Sequence, residues 1–465
     1  MLYKTAPTDS VMIVRGKLLK AINREVVAMV RRRDISILFL LLSALVAIAR
    51  DEAAAEIPPS PSTLSVSDTK SDDDPSLSQS DVDSVQPTAL FESLTNGPSF
   101  SDRWVASSET NSAKFPGAYQ IPGTDVWWKF GGFIKGDFIH DFEPVGSTDR
   151  FIPTTIPTNG QEGQNTLMQA KATRLKLDVR APSDLGVARG FFEGDFFTGD
   201  ATFRIRHAYA EVGSLLAGQT WTVFTDPAGI PNTLDFETPI AFLTLRQAQF
   251  RWTRPIGEHV KWAISVEDPT TAVDDIVAAT IPGNAEQPIP DLATHLKYKT
   301  ERLELFAAGL IRDVSYRPDG GSAQERFGWA TNFVGILHPT KNDKLIGQIV
   351  FGDGLGRYRS GNDLRLATPN TVEAIHHTGA CLAITHQWSK KWSSTLAHSL
   401  ASRREGPFDP PDTPRFATYS AANLIWQPIE ETTMGIEYLY GTNETKDGSF
   451  GFANRIQMSV QYNFR

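Results

Sequence analysis

Basic side chains cluster in segments of this sequence whose residues alternate between polar and apolar. Three segments carry them: Arg174, Lys176 and Arg180; Arg204 and Arg206; and Arg246 and Arg251. Alternate residues of a β-strand point to the same side, so the first two segments present rows of cations. In the third, Arg251 shares a row with Gln247 and Gln249, and Arg246 begins the strand. Fixed cations raise the local concentration of anions. The chemistry expected of these residues is therefore the electrostatic attraction of anions.

A set of carboxylates lies in the stretch from Thr225 to Ala241. These acids are Asp226, Asp235 and Glu237. If this loop folds back towards the basic rows, the two sets of charge create a field across the space between them. Three prolines stiffen the loop, because proline fixes φ. We expect the loop to form a constriction, and the alternative is a simple external loop.

The basic rows also have a second interpretation, in which they are ordinary solvated charges paired with nearby acids. The candidate partners are Asp178, Glu193 and Asp195.

The sequence has no glycine-rich phosphate loop ahead of a helix and no GxSxG nucleophile motif. We therefore expect no catalytic residues, no metal site and no cofactor.

The elements that carry these residues are short alternating strands from about Val126 to the C-terminus. The last strand is the clearest, with apolar residues at 456, 458, 460, 462 and 464 and polar residues between them. Seven tight polar turns alternate with mostly longer loops, which predicts about 16 strands. The predicted fold class is all-β, a transmembrane antiparallel β-barrel whose polar strand faces line the lumen. A secreted lectin-like sandwich is the alternative.

Phe464 is typical of the assembly signal of outer-membrane barrels, although Arg465 follows it.

Composition divides the chain into three regions. In 1–49, the consecutive Arg31, Arg32 and Arg33 and the 15-residue apolar run that follows predict a signal peptide, and a start at Met29 would give it a conventional length. Residues 50–117 are rich in Ser, Asp and Pro, which predicts a disordered acidic linker in the periplasm. The barrel is predicted over 118–465. The single Cys argues against a disulfide framework, and the net charge of −9 argues against nucleic acid as a partner.

From about residue 118 onwards, the sequence resembles the DcaP-like outer-membrane porin family of Gram-negative bacteria. Seven segments in order carry the resemblance: 131–142 (GGFIKGDFIHDF), 191–197, 204–227, 233–237, 246–253, 435–441 and 455–464 (RIQMSVQYNF). The resemblance implies a homotrimer of sixteen-stranded channels in outer-membrane lipid. It also implies passive diffusion of small anionic solutes, including dicarboxylates. Some members carry a coiled coil ahead of the barrel, but residues 56–117 show no sustained heptad pattern.

The leading hypothesis is an anion-preferring porin that is not an enzyme. Three alternatives stay open at this point: a general porin with weak preference, a hydrolase embedded in a barrel, and a surface adhesion protein that uses the long loops.

Overall fold

The computed structural model describes residues 113–464. The predicted signal peptide and all but the last residues of the predicted linker lie outside that range. Among the described residues, no helix has the length and apolar character needed to cross a membrane.

The regular elements of the described chain are almost all β-strands. The first eight are β1 (Trp127–Asp141), β2 (Asn165–Gln169 and Arg174–Ser183), β3 (Gly186–Asp195), β4 (Arg204–Val212), β5 (Leu215–Trp221), β6 (Arg246–Ile256), β7 (Val260–Glu267) and β8 (Asp291–Lys299). The second eight are β9 (Leu303–Pro318), β10 (Gln324–Leu337), β11 (Asp343–Asp353), β12 (His376–Gln387), β13 (Trp392–Arg403), β14 (Pro414–Ile429), β15 (Thr432–Thr445) and β16 (Phe450–Phe464).

These strands close into a barrel. Each pairs antiparallel with the next along the chain. β16 pairs with β1 through ten residues, which include Val460 opposite Gly136. The predicted sixteen-stranded antiparallel barrel is therefore confirmed. Phe464 ends β16 opposite Gly132, and its ring lies 6.0 Å from that of Phe130.

The two ends of the barrel differ. Seven short turns connect strands at one end, which is the number that the turn signals predict. Eight loops connect strands at the other end: L1 (142–164), L2 (196–203), L3 (222–245), L4 (268–290), L5 (319–323), L6 (354–375), L7 (404–413) and L8 (446–449). L4 contains a short helix, Asp275–Thr280, and the strand Gly283–Glu286. L6 contains the hairpin of Leu364–Thr368 and Thr371–Ala374.

Side chains alternate between the inside and the outside of the barrel. In β16, Gln457 and Gln461 point inwards and are buried, whereas Met458 and Val460 are about half exposed on the outer surface. Outward apolar residues of this kind occur around the barrel, as expected for a surface in contact with lipid.

The inner surface is not polar throughout, which corrects the expectation of a uniformly polar lumen. Phe306 in β9 and Tyr419 in β14 are buried. They belong to two apolar clusters in which L3 supplies Phe224 and Phe242 respectively. L3 therefore folds inside the barrel, and the wall beneath it is apolar because the loop, rather than water, covers it.

Candidate functional site

The basic rows predicted in β2 and β4 meet at a carboxylate of the strand between them. Glu193 of β3 is fully buried. Its carboxylate lies 3.4 Å from Arg174 Nη1, 3.1 Å from Lys176 Nζ and 2.9 Å from Arg206 Nε. Three cations from two strands thus share one acid.

Two further carboxylates bind the remaining cations of this surface. Arg204 Nε donates to Asp195 at 2.6 Å. At the short-turn end, Asp178 lies 3.0 Å from Arg180 Nη2 and 2.8 Å from Arg189 Nη2. The pairing that the second interpretation requires is therefore present.

Pairing does not cancel the charge of this surface, which we call the basic wall. Its cations are Arg174, Lys176, Arg180, Arg189, Arg204 and Arg206. Its three buried acids are Asp178, Glu193 and Asp195, and Glu211 adds a fourth at the edge, 3.3 Å from Arg189. Cations outnumber carboxylates even when Glu211 is included.

Arg189 is absent from the predicted set, although its sequence carries a signal. Arg189, Glu193 and Asp195 alternate with Gly190 and Gly194 in one strand. A period of two places them on one face, so the same reasoning that identifies Arg174 also applies to Arg189.

The two predicted basic residues of β6 lie beside the basic wall. Arg246 stacks on Trp221, with 4.2 Å between its Cζ and the ring centroid. Arg251 lies within electrostatic range of Glu211, and its Nε has no hydrogen-bond partner among the described residues. The structure thus brings together five of the seven predicted cations and places Arg246 and Arg251 beside them.

L3 is fixed to the opposite wall by hydrogen bonds to its backbone. Leu234 N and Asp235 N both donate to the carboxylate of Glu437 in β15, at 2.9 and 2.8 Å. Ala241 N donates to Ser399 Oγ in β13 at 2.9 Å. Glu437 thereby satisfies two amides that burial would otherwise leave without partners. The sequence carries one signal for Glu437. One face of β15 carries three apolar residues that point outwards, and Glu437 is the single acid on the other face.

Glycines allow L3 to approach this wall closely. A Cβ on Gly229 of L3 would lie 2.6 Å from Val334 Cγ1 in β10. A Cβ on Gly379 of β12 would lie 3.1 Å from Ala241 Cβ. A side chain at Gly229 would therefore push the loop away from this wall and towards the basic wall.

Two of the three predicted loop acids point to the wall behind L3 and not across the lumen. Asp226 Oδ1 lies 3.0 Å from Lys297 Nζ in β8. Asp235 accepts a hydrogen bond from Phe151 N of L1 at 3.2 Å, and its Oδ1 lies 3.7 Å from Arg455 Nη1 in β16. These acids fix L3 in place, because each one joins the loop to a strand or to another loop.

Glu237 is the predicted acid that lies near the basic wall. Its Oε2 is 3.8 Å from Arg150 Nη1 of L1, and it interacts electrostatically with Arg204. The adjacent Phe236 stacks on Phe197 of L2, and Arg204 Cζ lies 5.5 Å from the Phe236 ring centroid. The tip of L3 therefore contacts the long-loop end of the basic wall.

Burial raises the pKa of both acids near the tip of L3, Asp235 and Glu237. Loss of hydration raises the pKa of Asp235 to about 8, although the Arg455 guanidinium opposes the shift. Burial also raises the pKa of Glu237, and Arg150 opposes it there. The charge of Asp235 thus changes with pH as the pH passes through about 8.

A closed sixteen-stranded barrel with an apolar outer surface and a loop folded into its lumen defines an outer-membrane porin channel. The chain matches the family described as DcaP outer membrane protein over residues 109–464, and it therefore belongs to that family. This confirms the resemblance read from the sequence, and it places the protein in the outer membrane of a Gram-negative bacterium.

Solved structures support the same fold. The outer membrane channel DcaP of Acinetobacter baumannii is 21% identical, with a TM-score of 0.67 over 74% of this chain and 99% of that chain. An anion-selective porin from Comamonas acidovorans is 10% identical, with a TM-score of 0.50 over 73% of this chain and 100% of that chain. No curated protein matches the sequence significantly.

Proposed function

We propose that this porin passes small anions by passive diffusion and favours them over cations. The observation that carries the proposal is the excess of cations over carboxylates on the basic wall, where the carboxylate of Glu193 lies within 3.4 Å of three cations. A net positive surface beside a narrow aqueous path lowers the barrier for anions and raises it for cations. Salt screens this effect over about 10 Å at 0.1 M.

Small dicarboxylates are the solutes that we assign to the channel. A dianion gains about twice the electrostatic stabilisation of a monoanion near the same fixed charges. The resemblance to the DcaP-like porins supports this class of solute. The family and the fold are those of channels and not of enzymes.

Liposome swelling tests the proposed solute class. Vesicles that contain the purified porin should swell faster in succinate than in an uncharged diamide of similar size. They should swell more slowly in a diamine of that size. Equal rates for all three solutes would instead support the weakly selective general porin.

We also propose that the channel is a homotrimer, on the basis of the same resemblance. Native mass spectrometry in detergent should give three copies of the chain. A single copy under conditions that retain conductance would contradict the proposal.

A further inference from the structure

The segment just ahead of β1, residues 113–118, lies against the inner face of the barrel at its short-turn end. The Cζ atom of Arg180, in the basic wall, is 4.0 Å from the ring centroid of Phe115. Lys129 of β1 donates from its Nζ to Pro116 O at 2.8 Å. Phe115 is 9% exposed, so these contacts bury its ring.

The partners of this segment share one face of the sheet. Lys129 pairs with Asp178 across β1 and β2, and Trp127 pairs with Arg180. Directly opposed residues of paired strands point to the same side. Because Asp178 and Arg180 belong to the basic wall, all four side chains point into the lumen. The segment therefore lies inside the mouth and not along the outer rim.

A tight turn takes the chain out of the mouth. Gly117 has φ +72°, a left-handed conformation that favours glycine, and a Cβ there would lie 3.0 Å from Lys129 Nζ. Lys114 Nζ lies 5.5 Å from the ring of Trp127. After the turn, Tyr119 is 69% exposed. The turn thus separates an inner arm, which includes Phe115, from an exposed outer arm.

We propose that residues 113–118 form a second constriction of the channel, at the short-turn mouth, and that the Phe115 ring sets its width. A solute that has passed the tip of L3 must pass this ring to leave the lumen. The ring covers the guanidinium of Arg180, so it also limits how closely a solute approaches that end of the basic wall. This inference rests on the channel itself and not on its charge preference, because the ring acts by size.

A cysteine substitution with an uncharged reagent tests the proposal. The parent is Cys381→Ser, which removes the only thiol of the chain. In that parent, Phe115→Cys shortens the side chain and should raise the single-channel conductance in planar bilayers. Treatment with benzyl methanethiosulfonate then adds a ring of similar size and should return the conductance towards the parent value. Intact-protein mass measures the extent of labelling.

Tyr119→Cys in the same parent is the matched control. It lies on the exposed outer arm, so it should be labelled without a change in conductance. Phe115→Trp, which keeps a ring, should conduct no better than the parent. Equal conductance of the parent, Phe115→Cys and its fully labelled form would overturn the proposal, and so would a drop in current on labelling Tyr119→Cys. Because the reagent is neutral, these outcomes do not depend on whether the channel prefers anions.

Discussion

Replacing Arg204 and Arg206 by glutamine removes two positive charges from the basic wall where it faces the tip of L3. Their acids, Asp195 and Glu193, stay in place. The double substitution therefore removes the excess positive charge of this surface once Glu211 is counted. The anion preference should fall with it.

The size of the effect follows from Coulomb's law. A monovalent anion about 7 Å from one such cation, in a water-like dielectric, is stabilised by about 0.6 kcal/mol, and 0.1 M salt roughly halves this value. Two cations thus contribute about 0.6 kcal/mol, or about threefold in local concentration. A cation is destabilised by about the same factor, so the permeability ratio of chloride to potassium should fall by about sevenfold.

The assay is the reversal potential of the double variant in a planar bilayer under a KCl gradient. Lys341→Gln with Lys390→Gln is the matched control, because it changes the net charge equally at exposed residues of the short turns. Arg204→Gln alone provides a milder variant. The Arg204 side chain is 33% exposed, so its replacement disturbs folding less than the loss of the buried Arg206.

The control should keep the reversal potential of the wild type, and Arg204→Gln should shift it part of the way. A reversal potential that is unchanged in both arginine variants would refute the role of these residues in selectivity. An equal shift in the control would show that net charge, and not position, determines the preference.

Three further predictions address the packing around the constriction. Glu193→Gln leaves three cations without their shared carboxylate, so it should strengthen the anion preference and lower the free energy of unfolding by about 3–5 kcal/mol; an unchanged heat-dependent gel shift would contradict this. Ala241→Cys with Gly379→Cys, in a Cys381→Ser parent, should form a disulfide that is detectable by mass, because an ideal Cβ at 379 lies 3.1 Å from Ala241 Cβ and the two need to separate by only about 0.5 Å to reach disulfide geometry. Its conductance should not change, since L3 is already held there, and a large drop would show that the loop normally moves. The pKa of Asp235 is about 8 in the folded protein against 3.8 as its ordinary value, so the folded state binds the extra proton between these values. The stability contributed by this group is fully present below pH 4 and is lost as the pH rises through about 8. Asp235→Asn should therefore gain stability relative to the wild type between pH 5 and 9. A difference in the free energy of unfolding that stays constant over this pH range would contradict a raised pKa for Asp235.

The sequence predicts the fold well because the relevant signals are local. In β16, Met458 and Val460 alternate with Gln457, Ser459 and Gln461, and this period of two defines both faces without reference to any distant residue. The seven short turns are equally local, since each is a few polar residues between two such patterns. The number of short turns determines the number of strands, provided that both ends of the barrel sequence lie on the same side of the membrane.

The packing of L3 is not predictable in the same way. Phe306 and Tyr419 are apolar residues on inner faces, and their alternation does not show whether lipid or another part of the chain covers them. The answer depends on Phe224 and Phe242, which are distant along the chain from the strands that they cover. Only the folded chain brings them together.

The charges illustrate the same limit. The rows that contain Arg174 and Arg206 are visible from spacing, and so is the acid-rich loop. Spacing does not show that Asp226 pairs with Lys297, or that Asp235 turns towards Arg455 while Glu237 stays near Arg204. Each of these choices depends on the path of L3 through the lumen.

The reversal potential of the wild-type channel under a tenfold KCl gradient tests the central claim most directly. Perfect selectivity for one monovalent ion gives about 59 mV. We predict a reversal potential that differs from zero and has the sign expected when chloride is the more permeant ion. Its magnitude should increase as the total salt concentration is lowered, because screening of the fixed charges weakens. A potential near zero, or one of the sign set by potassium, would contradict an anion-preferring porin.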